Sequence, residues 1–74
     1  MEERIPTTTD LGHIVREARK EQGLTQEELA GMTGVGRRFV SDLEKGKETA
    51  QIGKTLLILG TLGIAIYASS KWKK

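Results

Sequence analysis

The sequence has no cysteine and a single histidine, His13, among its 74 residues. The chain therefore has no disulfides, and one histidine cannot supply the ligands of a structural zinc site. A domain of this length buries only about 60% of the surface that its unfolded form exposes, so it usually needs disulfides, a metal or a partner chain. We expect that support to come from oligomerisation, and the lack of cysteine is typical of a reducing cytoplasm.

The sequence also lacks the residue patterns of an enzyme. It has no cysteine nucleophile, no Gly-x-Ser-x-Gly and no cluster of metal ligands, and His13 has no evident carboxylate partner. The glycine-rich run over residues 31–36 lacks the lysine and the spacing of a phosphate-binding loop. We predict no catalytic residues, no metal and no cofactor.

Charge is nearly balanced but unevenly distributed. The 12 Lys and Arg residues exceed the 10 Asp and Glu residues by two, which alone does not indicate nucleic-acid binding. Residues 1–50 hold all the acids, whereas residues 51–74 contain four lysines and no acid. The chain can therefore carry a basic patch on one face. The polar, charged residues 1–10 lack the apolar core of a secretory signal, so we expect none.

The N-terminal part predicts an arm followed by a helix. Residues 1–9 lack periodicity and are interpreted as a flexible arm. Thr8, Thr9 and Asp10 offer capping oxygens, and the apolar residues that follow recur at helical spacing. This pattern predicts a first helix over about residues 10–22.

Two further short helices are predicted on either side of a glycine-rich turn. Thr25 and Glu28 have the spacing of a capping box, which begins a second helix. Residues 33–36 end it after about two turns. A third helix is predicted over residues 37–45, ending before Gly46. Two short helices joined by a turn that contains glycine are typical of the helix-turn-helix motif.

A fourth helix is predicted over about residues 50–62, with apolar residues on more than one face. One face holds Ile52, Leu56 and Leu59. Leu57 and Ile58 point away from that face. A helix that is apolar nearly all round is buried on more than one side, so we expect a second chain to pack here.

Residues 64–68 alternate β-branched and aromatic side chains with alanine, which predicts a short strand. Because the chain offers this strand no ladder partner, we expect it to pair with its copy across a two-fold axis. The dimerisation strand is assigned to residues 63–70, and a basic tail to residues 71–74. The expected dimer interface consists of Leu57, Ile58, Ile64, Ile66 and Tyr67.

The charge-free residues 55–70 also allow a membrane interpretation. Lys54 precedes them, and Tyr67, Trp72 and three lysines lie near their end, as in a membrane segment with interfacial anchors. A span needs about 20 residues, which this segment does not reach, and glycine and threonine dilute it. We therefore predict no membrane partner and keep a membrane-anchored helix-turn-helix protein as an alternative.

Residues 23–47, GLTQEELAGMTGVGRRFVSDLEKGK, resemble the helix-turn-helix of the XRE (Cro/CI-type) family of phage repressor-like regulators. The positions that carry the resemblance are Leu24, Gln26, Leu29, Ala30, Gly34, Val35, Val40, Leu43, Glu44 and Gly46. The chain is most similar to short HipB-like antitoxins, on the basis of TTTDLG, of GVGRRFVSDLEKGK and of the terminal strand. The resemblance implies an all-α, lambda-repressor-like bundle of four to five helices, with DNA-binding residues 10–62 and a short C-terminal β-strand pairing across a dimer.

The resemblance implies that the third helix is the recognition helix, the one that reads DNA bases. In such folds it enters the major groove by its N-terminal end. The outward residues are then Arg37, Arg38, Ser41 and Asp42. Each arginine can bind guanine O6 and N7 or grip a phosphate, and we favour guanine for one or both. Asp42 accepts from a cytosine amino group or orients an arginine. We favour the second role, because phosphates repel a nearby carboxylate.

The same resemblance implies a set of phosphate contacts. Gln26 matches the phosphate-contacting glutamine of the family, and Thr25 before it caps the helix or touches a phosphate. Gly36 replaces the commoner serine or threonine, so its backbone amide is the expected contact. Three lysines follow the third helix and either contact phosphates or form a solvated cationic surface: Lys45, Lys47 and Lys54.

Arg19 and Glu44 occupy positions where the family commonly has an ion pair between helix one and the end of the recognition helix. We expect this pair to orient that helix and not to read DNA. Trp72 in the basic tail is either a partner anchor or an indole that lies on the dimer.

The predicted function is that of a cytoplasmic, nucleoid-associated repressor that binds double-stranded DNA as a homodimer. Two recognition helices about 34 Å apart would engage an inverted-repeat operator. The resemblance further implies the antitoxin of an operon that encodes a HipA-like kinase toxin. A stand-alone or phage-type repressor is the alternative.

Overall fold

The computed structural model describes residues 3–72, which form four α-helices. They are α1 (Thr8–Glu21), α2 (Gln26–Thr33), α3 (Arg37–Glu44) and α4 (Ile52–Thr61). Both α1 and α2 pack on α3, and α4 packs on α2. Their shared core is built from Val15, Leu29, Ala30, Val40, Leu43, Ile58, Leu59 and Leu62. The helical architecture agrees with the all-α prediction. Within the described part of the chain, no helix has the length and apolar character needed to cross a membrane.

Helix α1 begins at Thr8, two residues earlier than predicted, because Thr7 supplies the cap. Its Oγ1 accepts a hydrogen bond from the amide of Asp10 at 3.1 Å and donates to the Asp10 carboxylate at 2.6 Å. The carboxylate in the first turn also favours the positive end of the helix dipole. Residues 8 and 9, assigned to the arm from sequence, are therefore helical.

The predicted capping box of α2 is present. The amide of Glu28 donates to Oγ1 of Thr25 at 3.0 Å, and the amide of Thr25 donates to the Glu28 carboxylate at 2.9 Å. Gly34 ends the helix in the left-handed region at φ 76°, which glycine adopts without strain. The chain then turns into α3 within two residues, and this sets the angle between the two helices.

The burial of α4 corrects the prediction made from its sequence. The face on the core is formed by Thr55, Ile58, Leu59 and Leu62. Ile52 and Leu56, predicted to share a face with Leu59, are instead exposed. Ile58, predicted for the dimer interface, is 0% exposed and belongs to the core of its own chain. An evenly apolar helix has no periodic signal that selects one face. Thr55 can occupy the buried face because its hydroxyl is satisfied by donating to the Gln51 carbonyl at 2.8 Å.

The strand predicted after α4 is not formed. Residues 64–70 have no regular secondary structure, and residues 3–72 contain no β-strand. A strand needs a hydrogen-bonded neighbour, and the described chain places no second extended segment beside this one. Ile64 is half-buried against the core, whereas Ile66 and Tyr67 are exposed. Residues 1–2 of the predicted arm and 73–74 of the predicted tail lie outside the described residues.

Candidate nucleic-acid interface

Helix α3 presents two arginines at its N-terminal end. Arg37 and Arg38 are both exposed, and 94% of the Arg38 side chain is accessible. On the opposite side, Val40 and Leu43 are buried in the core. The exposed arginines thus lie at the N-terminal end of α3, which is the positive end of the helix dipole. No acidic residue occupies the first turn of this helix.

Asp42 lies between two cationic side chains. Its Oδ2 is 3.9 Å from Nε of Arg38, one turn earlier, and 3.5 Å from Nζ of Lys47. Exposed pairs of this kind add little to folding stability, but they restrict where the cationic side chains point. Asp42 is thus within ion-pair distance of Arg38 and of Lys47, and its role towards DNA stays a prediction. Ser41 is half-buried next to it.

The predicted phosphate contacts lie at the starts of α2 and α3 and at the end of α3. Thr25 uses its hydroxyl as the α2 cap. Gly36 is the N-terminal cap of α3, without a side-chain hydrogen bond, and open space surrounds the position of its missing Cβ. Lys45 and Lys47 are exposed. The start of α3 is therefore more open to an anion than the start of α2, whose first turn contains Glu27 and Glu28.

Arg19 and Glu44 form a buried, bidentate ion pair between α1 and α3. Arg19 Nε donates to Glu44 Oε2 at 2.6 Å, and its Nη2 donates to Oε1 at 3.0 Å. Arg19 Nη1 also donates to the carbonyl of Leu24 at 2.7 Å, so the turn before α2 is tied to the same guanidinium. The pair therefore joins α1, the α1–α2 turn and the end of the recognition helix.

The structure adds Gln26 to this pair, a contact that the sequence did not predict. Gln26 Nε2 donates to Oε1 of Glu44 at 3.0 Å. Burial alone would raise the pKa of Glu44. Hydrogen bonds from Arg19 and Gln26, together with the positive charges of Arg19 and Arg16, outweigh it and lower that pKa below its ordinary value. The hydrogen bond to Glu44 also raises the pKa of Arg19. Gln26 and Glu44 are 18 residues apart in the chain, so no local pattern reveals the contact.

An open cleft of about 160 Å³ separates the side of α3 from the start of α4. Its lining residues are Phe39, Asp42, Lys47, Thr49, Ala50, Gln51 and Lys54. Lys54 Nζ lies 5.8 Å from the centre of the Phe39 ring, within the range of a cation–π contact. Lys54 therefore adds a cationic side chain on α4 to those of Arg38 on α3 and Lys47 in the following loop.

Two short helices at a fixed angle, the second exposing arginines beside a basic loop, define the class of helix-turn-helix DNA-binding proteins. The family model for helix-turn-helix proteins (HTH_3) matches residues 15–67, and the chain belongs to this family. It is 61% identical over 66 residues to the HTH-type transcriptional regulator y4mF of Sinorhizobium fredii. This alignment covers 89% of the present chain and 87% of that relative. An HTH-type transcriptional regulator of Methanothermobacter thermautotrophicus is 59% identical over 34 residues, covering 46% of this chain and 49% of its own length.

Solved structures share the same fold. A chain of the HipA-HipB-O2-O3 complex superposes with a TM-score of 0.85 at 23% identity, covering 95% of this chain and 99% of that one. A chain of the HipB-O4 20mer complex gives a TM-score of 0.84 at 23% identity, with the same coverage. The protein is therefore a DNA-binding transcriptional regulator of the XRE type with a HipB-like fold, and its family is not a class of enzymes.

Proposed function

We propose that the protein is a homodimeric repressor that binds an inverted-repeat operator in the nucleoid of the cytoplasm. The observation that carries this proposal is the exposed pair Arg37 and Arg38 at the N-terminal end of α3. In a dimer with two recognition helices about 34 Å apart, these pairs would enter successive major grooves.

The interface divides into base-reading and phosphate-contacting residues. Bases are read by Arg37, Arg38 and Ser41, with Asp42 orienting Arg38 across their 3.9 Å contact. The proposed phosphate contacts are Thr25, Gln26, Gly36, Lys45 and Lys47. A bidentate arginine on guanine contributes about 1 to 3 kcal/mol of discrimination, whereas phosphate contacts contribute affinity without sequence preference.

Dimerisation is assigned to the C-terminal third. Most of the large apolar side chains that the described chain leaves exposed belong to this part. They are Ile52, Leu56, Leu57, Ile66, Tyr67 and Trp72. A cluster of exposed apolar side chains on a small domain favours a protein interface. The proposed interface consists of Leu57, Ile64, Ile66 and Tyr67, with residues 64–70 acquiring a strand partner only when two chains meet.

A HipA-like kinase toxin is the proposed second protein partner, which would make the chain an antitoxin that represses its own operon. The fold similarity to a chain of the HipA-HipB-O2-O3 complex supports this assignment. Trp72 is 83% exposed and is the proposed anchor, since tryptophan is enriched at binding hot spots. A stand-alone or phage-type repressor is the second candidate, which the 61% identical relative, an HTH-type transcriptional regulator, fits equally well.

Selection of duplexes from a random-sequence pool tests the DNA-binding proposal. We expect an inverted repeat to be enriched, with Arg37→Ala and Arg38→Ala relaxing the preference at individual positions. Lys45→Ala is the matched control, because Lys45 is exposed away from the Arg38–Asp42 pair. Loss of a phosphate contact weakens binding to all duplexes alike and lowers the slope of log affinity against log salt by about one. Equal effects of all three variants on every sequence would contradict the assignment of base readers.

Co-expression distinguishes the antitoxin from the stand-alone repressor. If the gene next to this one encodes a HipA-like kinase, we expect the kinase to arrest growth alone and the wild-type protein to restore it. Trp72→Ala should impair this rescue while leaving DNA binding unchanged. Growth arrest that the wild-type protein does not relieve would favour the stand-alone repressor.

A further inference from the structure

Gln26 is the first residue of α2, and its side chain is already engaged before any DNA is present. Its Nε2 donates to Oε1 of Glu44 at 3.0 Å, and the same oxygen accepts from Arg19 Nη2 at 3.0 Å. The second carboxylate oxygen of Glu44 accepts from Arg19 Nε at 2.6 Å. A glutamine at the start of one helix is thus tied to a buried ion pair between two others.

The chemistry of this contact fixes which end of the amide points inward. An ionised carboxylate only accepts hydrogen bonds, so the nitrogen end of Gln26 must face Glu44. One Nε2 hydrogen is used in that contact, and the second remains available to an acceptor outside the chain. A side chain that is held in its binding orientation loses less conformational entropy when its ligand arrives.

We propose that Glu44 is a positioning residue for DNA binding, which holds the Gln26 amide so that a hydrogen of Nε2 meets a backbone phosphate. Arg19 holds Glu44 in turn, so α1 contributes to the interface without touching DNA. This inference rests on the proposed phosphate contact of Gln26. It assigns the buried pair a role in affinity in addition to its role in packing α1 against α3.

A double-mutant cycle in DNA affinity tests the inference. The probe is a random-sequence 30-base-pair duplex at low salt, because a phosphate contact does not depend on sequence. We expect Gln26→Ala to weaken binding about 10- to 100-fold, the range for one hydrogen bond to a charged group. Glu44→Gln should weaken binding when Gln26 is present. The amide introduced at residue 44 can both donate and accept, so it no longer fixes which end of the Gln26 side chain faces inward.

The decisive comparison is Glu44→Gln in the Gln26→Ala background, where we expect no further loss of affinity. Glu48→Gln is the matched control, since it removes the same charge from an exposed position in the α3–α4 connection. Affinities are measured at a temperature where circular dichroism shows every variant to be folded. A Glu44→Gln loss of equal size in both backgrounds would show that the residue acts through the helices alone, which overturns the inference.

A measurement without DNA covers the case in which Glu44→Gln does not fold. In 15N-labelled wild-type protein, we expect the side-chain amide of Gln26 to be as rigid as backbone, with an order parameter of about 0.8. The exposed Gln51 is the reference and should remain below about 0.6. A Gln26 amide as mobile as that of Gln51 would overturn the positioning role.

The outcomes separate the inference from the proposed function. Unchanged affinity in Gln26→Ala would remove the phosphate contact, and the role of Glu44 would fall with it. A loss in Gln26→Ala combined with an additive Glu44→Gln would leave the phosphate contact standing and remove only the positioning role.

Discussion

Gly12 lies against the backbone of Glu44 so closely that a Cβ atom at residue 12 would be 2.5 Å from the Glu44 carbonyl oxygen. It would also be 2.6 Å from the carbonyl oxygen of Leu43. The recognition helix therefore crosses α1 with the two backbones in contact. Near the same crossing, the hydroxyl of Thr8 donates to the Gly46 carbonyl at 2.8 Å. Together with the Arg19–Glu44 pair, these contacts fix the orientation of α3 against α1.

We expect Gly12→Ala to destabilise the fold, although alanine is the better helix former. The new methyl group meets backbone atoms that cannot rotate away, and overpacking of this kind costs about 1 to 3 kcal/mol. Gly31→Ala in α2 is the control, because apart from its chain neighbours and the adjacent helix backbone no atom lies within 4 Å of the added Cβ. That change should raise stability by about 0.5 to 1 kcal/mol. Urea denaturation of the two variants measures both effects, and a Gly12→Ala protein as stable as wild type would contradict the close crossing.

We expect the buried pair to make the fold sensitive to acid. Because the pKa of Glu44 is lower in the folded state than in the unfolded chain, its contribution is complete above the unfolded value of about 4.3. That contribution is lost as the pH falls through the lower folded value. Glu44→Gln should therefore have a flatter profile of unfolding free energy below about pH 4.3. Parallel profiles for wild type and Glu44→Gln would contradict the assigned pKa direction.

We expect Gly36→Ser to stabilise α3. Gly36 has φ −74° and ψ 150°, an ordinary backbone conformation, and its Cβ position is open. A serine hydroxyl there can accept from a free amide of the first turn, which stabilises a helix by about 0.3 kcal/mol relative to a glycine cap. Gly34→Ser is the contrasting variant, because φ 76° strains any residue with a Cβ even where space is open. Thermal melts should move in opposite directions for the two variants, and a lower melting temperature for Gly36→Ser would refute the cap.

Local sequence patterns predicted the parts of the fold that depend on neighbouring residues. The α2 capping box and the glycine that ends α2 follow from hydrogen bonds and dihedral angles within a few positions. The buried face of α4 could not be predicted from local patterns, because Ile52, Leu56 and Ile58 are equally apolar. Only the packing of α4 on α2 determines which of them is buried. The start of α1 was misplaced because several threonines in succession can each cap a helix. The link from Gln26 to Glu44 depends on the crossing of separate helices, which no local pattern encodes.

Leu57 and Ile58 are adjacent in α4, yet we expect their substitution by alanine to affect different equilibria. Ile58 is 0% exposed and fills the core, so Ile58→Ala should cost about 2 to 5 kcal/mol of unfolding free energy. Leu57 is 48% exposed and belongs to the proposed dimer interface, so Leu57→Ala should instead weaken self-association. Sedimentation equilibrium measures the second effect and urea denaturation the first, each at matched protein concentration. A Leu57→Ala protein with unchanged association would remove this residue from the interface, because the truncation takes away apolar surface that dimerisation would bury.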